Sequence, residues 1–246
     1  MSKRKQLTYV EVHGQKIPVN VIKENRTSIR YAIGKYAVIM RLPRLMTKQS
    51  FLKHLGNVQK WLEEQVNKNP DLLTHLAGRV YYDGMQLQVG GHLYTIFIQK
   101  EDRKTIGSQL EGQQITLKIP TTLPQEQESK HFKRILSKTI GSHQLPEITA
   151  RVNHINNVHF NYEIKNVRLK YNSSNWGSCN RDGVVSLSTR LLFAPQEVID
   201  YVIIHELAHI KVFNHSSNFW ELVENRMPDY KEKEKWLKEN YFKCDF

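Results

Sequence analysis

Residues 199–210 read Ile199-Asp200-Tyr201-Val202-Ile203-Ile204-His205-Glu206-Leu207-Ala208-His209-Ile210. Val198, Val202, Ile203, Leu207 and Ile210 form an apolar stripe, which predicts a buried helix. Pro195 suits its first turn, where a missing N–H leaves no bond unmade. His205 and His209 stand four residues apart, so on a helix their rings project from one face, one turn apart. Both can reach a single ion. Glu206 is offset around the helix and can border that ion without binding it. In a His-Glu-x-x-His segment two imidazoles hold zinc and the carboxylate takes a proton from the metal's water. With 11 His and 17 Glu in 246 residues, chance supplies about 0.03 such matches. The rival reading, two hydrogen-bonded core histidines, is disfavoured by the Glu between them and the apolar helix around them.

Catalytic zinc usually has three protein ligands and one open position. His215 follows His209 after Ile210-Lys211-Val212-Phe213-Asn214, the offset of the third His in HExxHxxGxxH sequences. Val212 stands where such sequences carry glycine, and Asn214 tolerates the left-handed conformation that would end the helix. Glu221 or Glu224 is the competing third ligand. Other histidines, such as His54, His75 and His92, read as ordinary core or surface residues. The expected chemistry is hydrolytic: Glu206 accepts a proton as water attacks a carbonyl, then passes it to the leaving group. Tyr230 is a candidate oxyanion donor, with a simply packed tyrosine as the alternative.

Charge is concentrated. The chain carries +12, and residues 1–60 hold 13 Lys/Arg, among them Lys3, Arg4, Lys5, Arg26, Arg30, Arg41 and Arg44, against Glu11 and Glu24 alone. Such a region attracts polyanions, nucleic acid included, unless it is only a solvated basic surface. No run of 18 apolar residues exists, which excludes a membrane-spanning helix, and the N-terminal stretch is too short and polar for a signal-peptide core. A cytoplasmic protein is the expectation. The two cysteines, Cys179 and Cys244, read as free thiols, too few for a thiolate zinc site.

Strands are expected at Leu7–Val12, Ile17–Ile22, Ser28–Ile33 and Tyr36–Arg41, then a helix opened by Thr47. Further strands are expected at Arg79–Tyr82, Leu87–Val89, His92–Gln99 and Gln114–Ile119. A long helix is expected from about Gln125, then strands Val167–Tyr171 and Val184–Leu187 and three more helices. No repeat, low-complexity tract or flexible linker is evident. The predicted class is α+β: a basic, β-rich region over 1–122 and a helical catalytic region with a small sheet over 123–246, divided at Pro120–Pro124.

Four blocks together resemble the YgjP-like family of metal-dependent hydrolases, relatives of the SprT-like and WLM metalloproteases. They are Asn175-Trp176-Gly177-Ser178-Cys179; Val185-Ser186-Leu187 with Leu191-Leu192 and Pro195; the His205–His209 helix; and Asn214-His215-Ser216 with Phe219-Trp220 and Pro228-Asp229-Tyr230. The resemblance implies a zincin-like catalytic domain, three metal ligands at His205, His209 and His215, and a catalytic Glu206. Asn175 departs from the family's usual Arg. The Trp-Gly-Ser-Cys block reads as structural, with Trp176 packed and Gly177 in a tight turn. Cys179 is not expected on the metal, since three histidines suffice. The leading expectation is a zinc metallopeptidase acting on protein or peptide, with Val184–Leu187 pairing with extended substrate. The alternatives are a nucleotide phosphoanhydride hydrolase and a nucleic-acid-associated protein with a structural zinc.

Overall fold

The computed structural model describes residues 5–34 and 37–246, so Lys3, Arg4, Lys35 and Tyr36 lie outside the described residues. Chain contacts divide it into two units, Met1–Val80 and Tyr81–Phe246. The first holds strands β1 (Lys5–Val12), β2 (Gln15–Glu24), β3 (Arg30–Ile33) and β4 (Val38–Pro43), then helices α1 (Lys48–Lys68) and α2 (Asp71–Ala77). Its sheet runs β1-β2-β4-β3, with β2 and β4 parallel and the outer pairs antiparallel. Alternate residues Ile17, Val19 and Val21 turn inward with Val38, Met40 and Leu42, as do Val58, Leu62 and Val66 of α1. Thr47 caps α1 by accepting from the Ser50 N–H. Part of the positive charge is neutralised locally, because Glu24 accepts from Arg41 at 2.6 Å.

The second unit holds β5 (Met85–Val89), β6 (His92–Glu101), β7 (Gly107–Glu111), β8 (Gln114–Pro120), α3 (Gln125–His159), β9 (Asn166–Lys170), β10 (Gly177–Cys179), β11 (Val184–Ser188), α4 (Gln196–Lys211), α5 (Ser217–Glu224) and α6 (Tyr230–Asn240). Among the described residues this makes six α-helices and three small sheets, an α+β fold. The division falls at Val80/Tyr81, not at 122/123. The reason is packing: Leu117, Ile119 and Tyr94 of the second sheet share one core with Phe132, Leu136 and Ile140 of α3 and with the α4 aliphatics. Arg79–Tyr82 forms no strand, and β7 and β10 are strands the sequence did not announce.

The chain does contain a repeat. The second four-stranded sheet runs β5-β6-β8-β7 with the same parallel and antiparallel pairings as the first. Its strands follow at a constant step of 77 residues: Gln15–Glu24 recurs as His92–Glu101, and Glu24↔Pro43 recurs as Glu101↔Pro120. Lys23-Glu24-Asn25-Arg26 becomes Lys100-Glu101-Asp102-Arg103. Both copies pair the Glu with the Arg two residues on, at 3.7 Å and 3.4 Å.

The second copy is tied to its helix through Gln144. This buried amide donates to the Val89 carbonyl at 2.8 Å and to the Tyr94 hydroxyl at 3.0 Å. It fits because position 90 is glycine: a Cβ there would sit 1.9 Å from Gln144 Oε1, on a backbone of φ +60°. Gly90→Ala should therefore destabilise the protein by about 2 kcal/mol, through steric strain and a disturbed buried amide. Urea unfolding measures it, and an unchanged midpoint would contradict this account.

Candidate metal centre

Helix α4 is buried almost all round. Val198, Ile199, Val202, Ile203, Ile204, Leu207 and Ala208 are all in the core, as is Tyr201. Such a helix forms because every face meets apolar neighbours. It also leaves its two histidines few directions in which to point. His205 and His209 face the same side, with Nε2 atoms 3.3 Å apart. His215 Nε2 lies 3.1 Å from His205 Nε2. The three ligand atoms lie within 4.8 Å of one another, and among the described residues no Cys, Asp or Glu joins the group. Glu221 and Glu224 are exposed and outside it.

The turn that delivers His215 is built without glycine. Helix α4 ends at Val212, which is extended (φ −128°, ψ 104°) while its N–H still bonds Ala208. Asn214 does not take up the left-handed conformation that its type permits. The Val212 carbonyl stands 3.1 Å from His209 Nδ1, so it can accept that N–H and leave the Nε2 lone pair free. Phe219 and Trp220 of α5 support the rings. His209 stacks on Phe219 with centroids 4.5 Å apart, and His215 stacks on Trp220 at 5.6 Å. Trp220 in turn stacks on the buried Tyr230 at 5.3 Å.

Burial shifts the titration of these groups. It lowers His205 to about 4, helped by His209 and His215, and it lowers His209 as well. Both imidazoles are thereby held neutral, the form that binds metals. Burial also raises Glu206 to about 7, opposed by the Cys179 backbone N–H, which donates to the carboxylate. The Cys179 thiol is pushed up to about 11, first by burial and then by Glu206.

The separations of His205 Nε2 from the other two nitrogens suit a metal. A tetrahedral zinc with Zn–N bonds near 2.05 Å spaces its ligand nitrogens about 3.3 Å apart, against the 3.1 Å and 3.3 Å found here. His205 Nδ1 is buried without a hydrogen-bond partner. The cluster opens into a cleft of about 840 Å³, bordered by Trp176, Tyr201, Val202, Phe213, Leu237 and Tyr241. Glu234 and Lys238 of α6 stand at its wall, paired with each other at 2.7 Å.

Residues 7–240 match the family described as YgjP-like, metallopeptidase domain. The chain belongs to the YgjP-like metallopeptidases. Two solved structures match in part. The metallopeptidase zymogen abylysin of Pyrococcus abyssi is 26% identical over 37% of this chain and 93% of its own, with a TM-score of 0.34. The metallopeptidase zymogen jannalysin of Methanocaldococcus jannaschii is 24% identical over 38% and 96%, with a TM-score of 0.34. No curated protein sequence matches.

Two parts of this YgjP-like metallopeptidase's site escaped the sequence reading. The first is strand β10. The strand expected to receive substrate, Val184–Leu187, is central: β11 lies between β9 and β10 and has no free edge. The edge beside the metal cluster belongs to Gly177-Ser178-Cys179. The second is the anchoring of that edge. Buried Arg190 donates to the carbonyls of Cys244 (2.7 Å), Tyr241 (2.8 Å) and Ser173 (3.4 Å), and its guanidinium lies 4.7 Å above the Trp176 ring.

Gly177 presses directly on Glu206. A Cβ there would lie 2.7 Å from Glu206 Cγ and Oε1. Gly177→Ala should displace the carboxylate and lower peptidase turnover about 100-fold. Thermal unfolding should change little, since the strand stays at a sheet edge. Turnover within threefold of wild type would refute the contact's importance.

Proposed function

We propose that this protein is a zinc peptidase in which His205, His209 and His215 hold the metal and Glu206 shuttles the proton. The observation that carries the reading is the convergence of three Nε2 atoms beside a buried carboxylate, on the floor of a cleft with an open strand edge. Zinc bound there would supply Lewis acidity, polarising the scissile carbonyl and acidifying water. The chain's own residues do the rest. An extended peptide pairs with the free edge of Gly177-Ser178-Cys179, which fixes its carbonyl over the histidines. Glu206 takes a proton from the attacking water on its carboxylate and delivers it to the departing amine. The surrounding Trp176, Tyr201 and Leu237 exclude bulk water and accept apolar side chains of the substrate.

The cleft favours a peptide over a phosphoanhydride. Lys238 is the cation bordering it, and it is already paired with Glu234. A structural zinc would require a fourth protein ligand, and among the described residues the cluster holds three.

Protein loaded with zinc should bind about one ion per chain and cleave unfolded protein substrates. Glu206→Gln should lower turnover by about 10²–10⁴-fold with metal content intact, whereas His209→Ala should lose both. Chelation should abolish cleavage, and zinc should restore it. Elemental analysis run beside a fluorogenic peptidase assay checks each arm. Full activity in Glu206→Gln would sink the proton-shuttle role, and full metal content in His209→Ala would sink the ligand set.

A further inference from the structure

A second concavity, of about 610 Å³, lies between β7 and α3 in the Tyr81–Phe246 unit, away from the metal cleft in sequence and lining. Ser108, Leu110, Ile135, Lys138, Thr139 and His143 border it. One wall is a strand edge, because β7 pairs with β8 on one side only. The other wall is the α3 surface.

The repeat shows what this space is shaped for. In the first copy Tyr31 of β3 meets Trp61 of α1, with ring centroids 5.8 Å apart, and the Tyr31 hydroxyl lies 3.1 Å from His54 Nδ1. That aromatic pair fills the junction of edge strand and helix. Ser108 stands at the strand position matching Tyr31. Its helix partner is Thr139, with the two hydroxyl oxygens 2.6 Å apart. At this strand position a ring has been replaced by a small hydroxyl while the strand pairing is unchanged. Side chains normally fill such a junction to interior density. Here the room is left open to solvent, between apolar Leu110 and Ile135.

Lys138 adds charge. Among the described residues it has no carboxylate partner, and the bordering residues include no acid. A strand edge offers unpaired N–H and C=O groups to another extended chain. We propose that this groove docks an extended peptide segment. The segment adds to the β7 edge, seats an aromatic side chain over Ser108 and Thr139, and sets an acidic side chain of the same face against Lys138. In a peptidase, a reading this last point rests on, the groove holds a remote part of the substrate and lowers KM for proteins without affecting short peptides.

The test uses the full chain carrying Glu206→Gln and a fluorescein-labelled heptapeptide, Thr-Asp-Thr-Phe-Thr-Asp-Thr, read by anisotropy. Saturable binding is expected, weakened about tenfold or more when Phe is replaced by Ala or both Asp by Lys. Ser108→Tyr with Thr139→Trp fills the groove with two rings and should abolish binding. Should that double variant fail to fold by circular dichroism, the exposed Lys138→Glu carries the test, and it should reverse the preference toward the Lys-bearing peptide. Equal binding of the Phe and Ala peptides, equal binding by wild type and variants, or no saturable binding at all would overturn the proposal. Because binding is read without turnover, intact binding with a failed peptidase assay sinks only the peptidase reading. Intact cleavage with no binding sinks only the groove.

Discussion

The site is organised around a carboxylate placed where carboxylates are hard to keep. Glu206 is 6% exposed, on a helix whose other faces are aliphatic. Burial favours its protonated form, and one backbone N–H, from Cys179, opposes that. Among the described residues no Lys or Arg pairs with it. The neighbouring imidazoles His205 and His209 are driven toward neutrality by the same burial, so they cannot balance its charge. A metal cation held by the three histidines, as we propose, would supply positive charge beside the carboxylate.

That arrangement imposes demands outward from α4. The strand edge must approach Glu206 closely enough for its N–H to reach, and only glycine at 177 permits the approach. A three-residue edge strand has little stability of its own. Arg190 supplies it, with three carbonyls satisfied by one guanidinium and the Trp176 ring packed beneath. Asp245 extends the same anchoring, bonding Lys133 at 2.5 Å and Tyr171 at 3.0 Å. Asn175, at the position where the resemblance leads one to expect Arg, hydrogen-bonds to Asn172 within the loop. Basic anchoring of this loop thus comes from Arg190, thirteen positions past Gly177 in the chain.

The legibility of the sequence followed the range of each interaction. The spacing of His205, Glu206 and His209 is a helical property, contained within two turns, and was readable. His215 was readable by offset, although the turn is made by extended Val212 and not by glycine or a left-handed Asn214. Strand β10 was not readable, because a three-residue strand shows no alternation and exists only through its pairing with β11. The same blindness made Val184–Leu187 look like the free edge. The division at Val80/Tyr81 was hidden because Pro120–Pro124 marks a change of secondary structure inside one continuous core.

The repeat was missed for a related reason, and that reason bears on what a fold conserves. Between the two copies, strand order, register and the Glu–Arg pair are kept, while most side chains differ in identity. Inward positions need only be apolar, so Val19 and Ile96 serve alike. Outward positions are under no packing constraint. What must persist is the set of groups with directional partners, and these are few. The junction of edge strand and helix lies between these regimes. It needs volume for cohesion but not for topology, since the sheet pairs in the same register with Tyr31 present or with Ser108 in its place. A scaffold of this kind can therefore give up side-chain volume at that junction without losing its strand order, and the exposed strand edge beside the vacated space gains a shape that another chain can read.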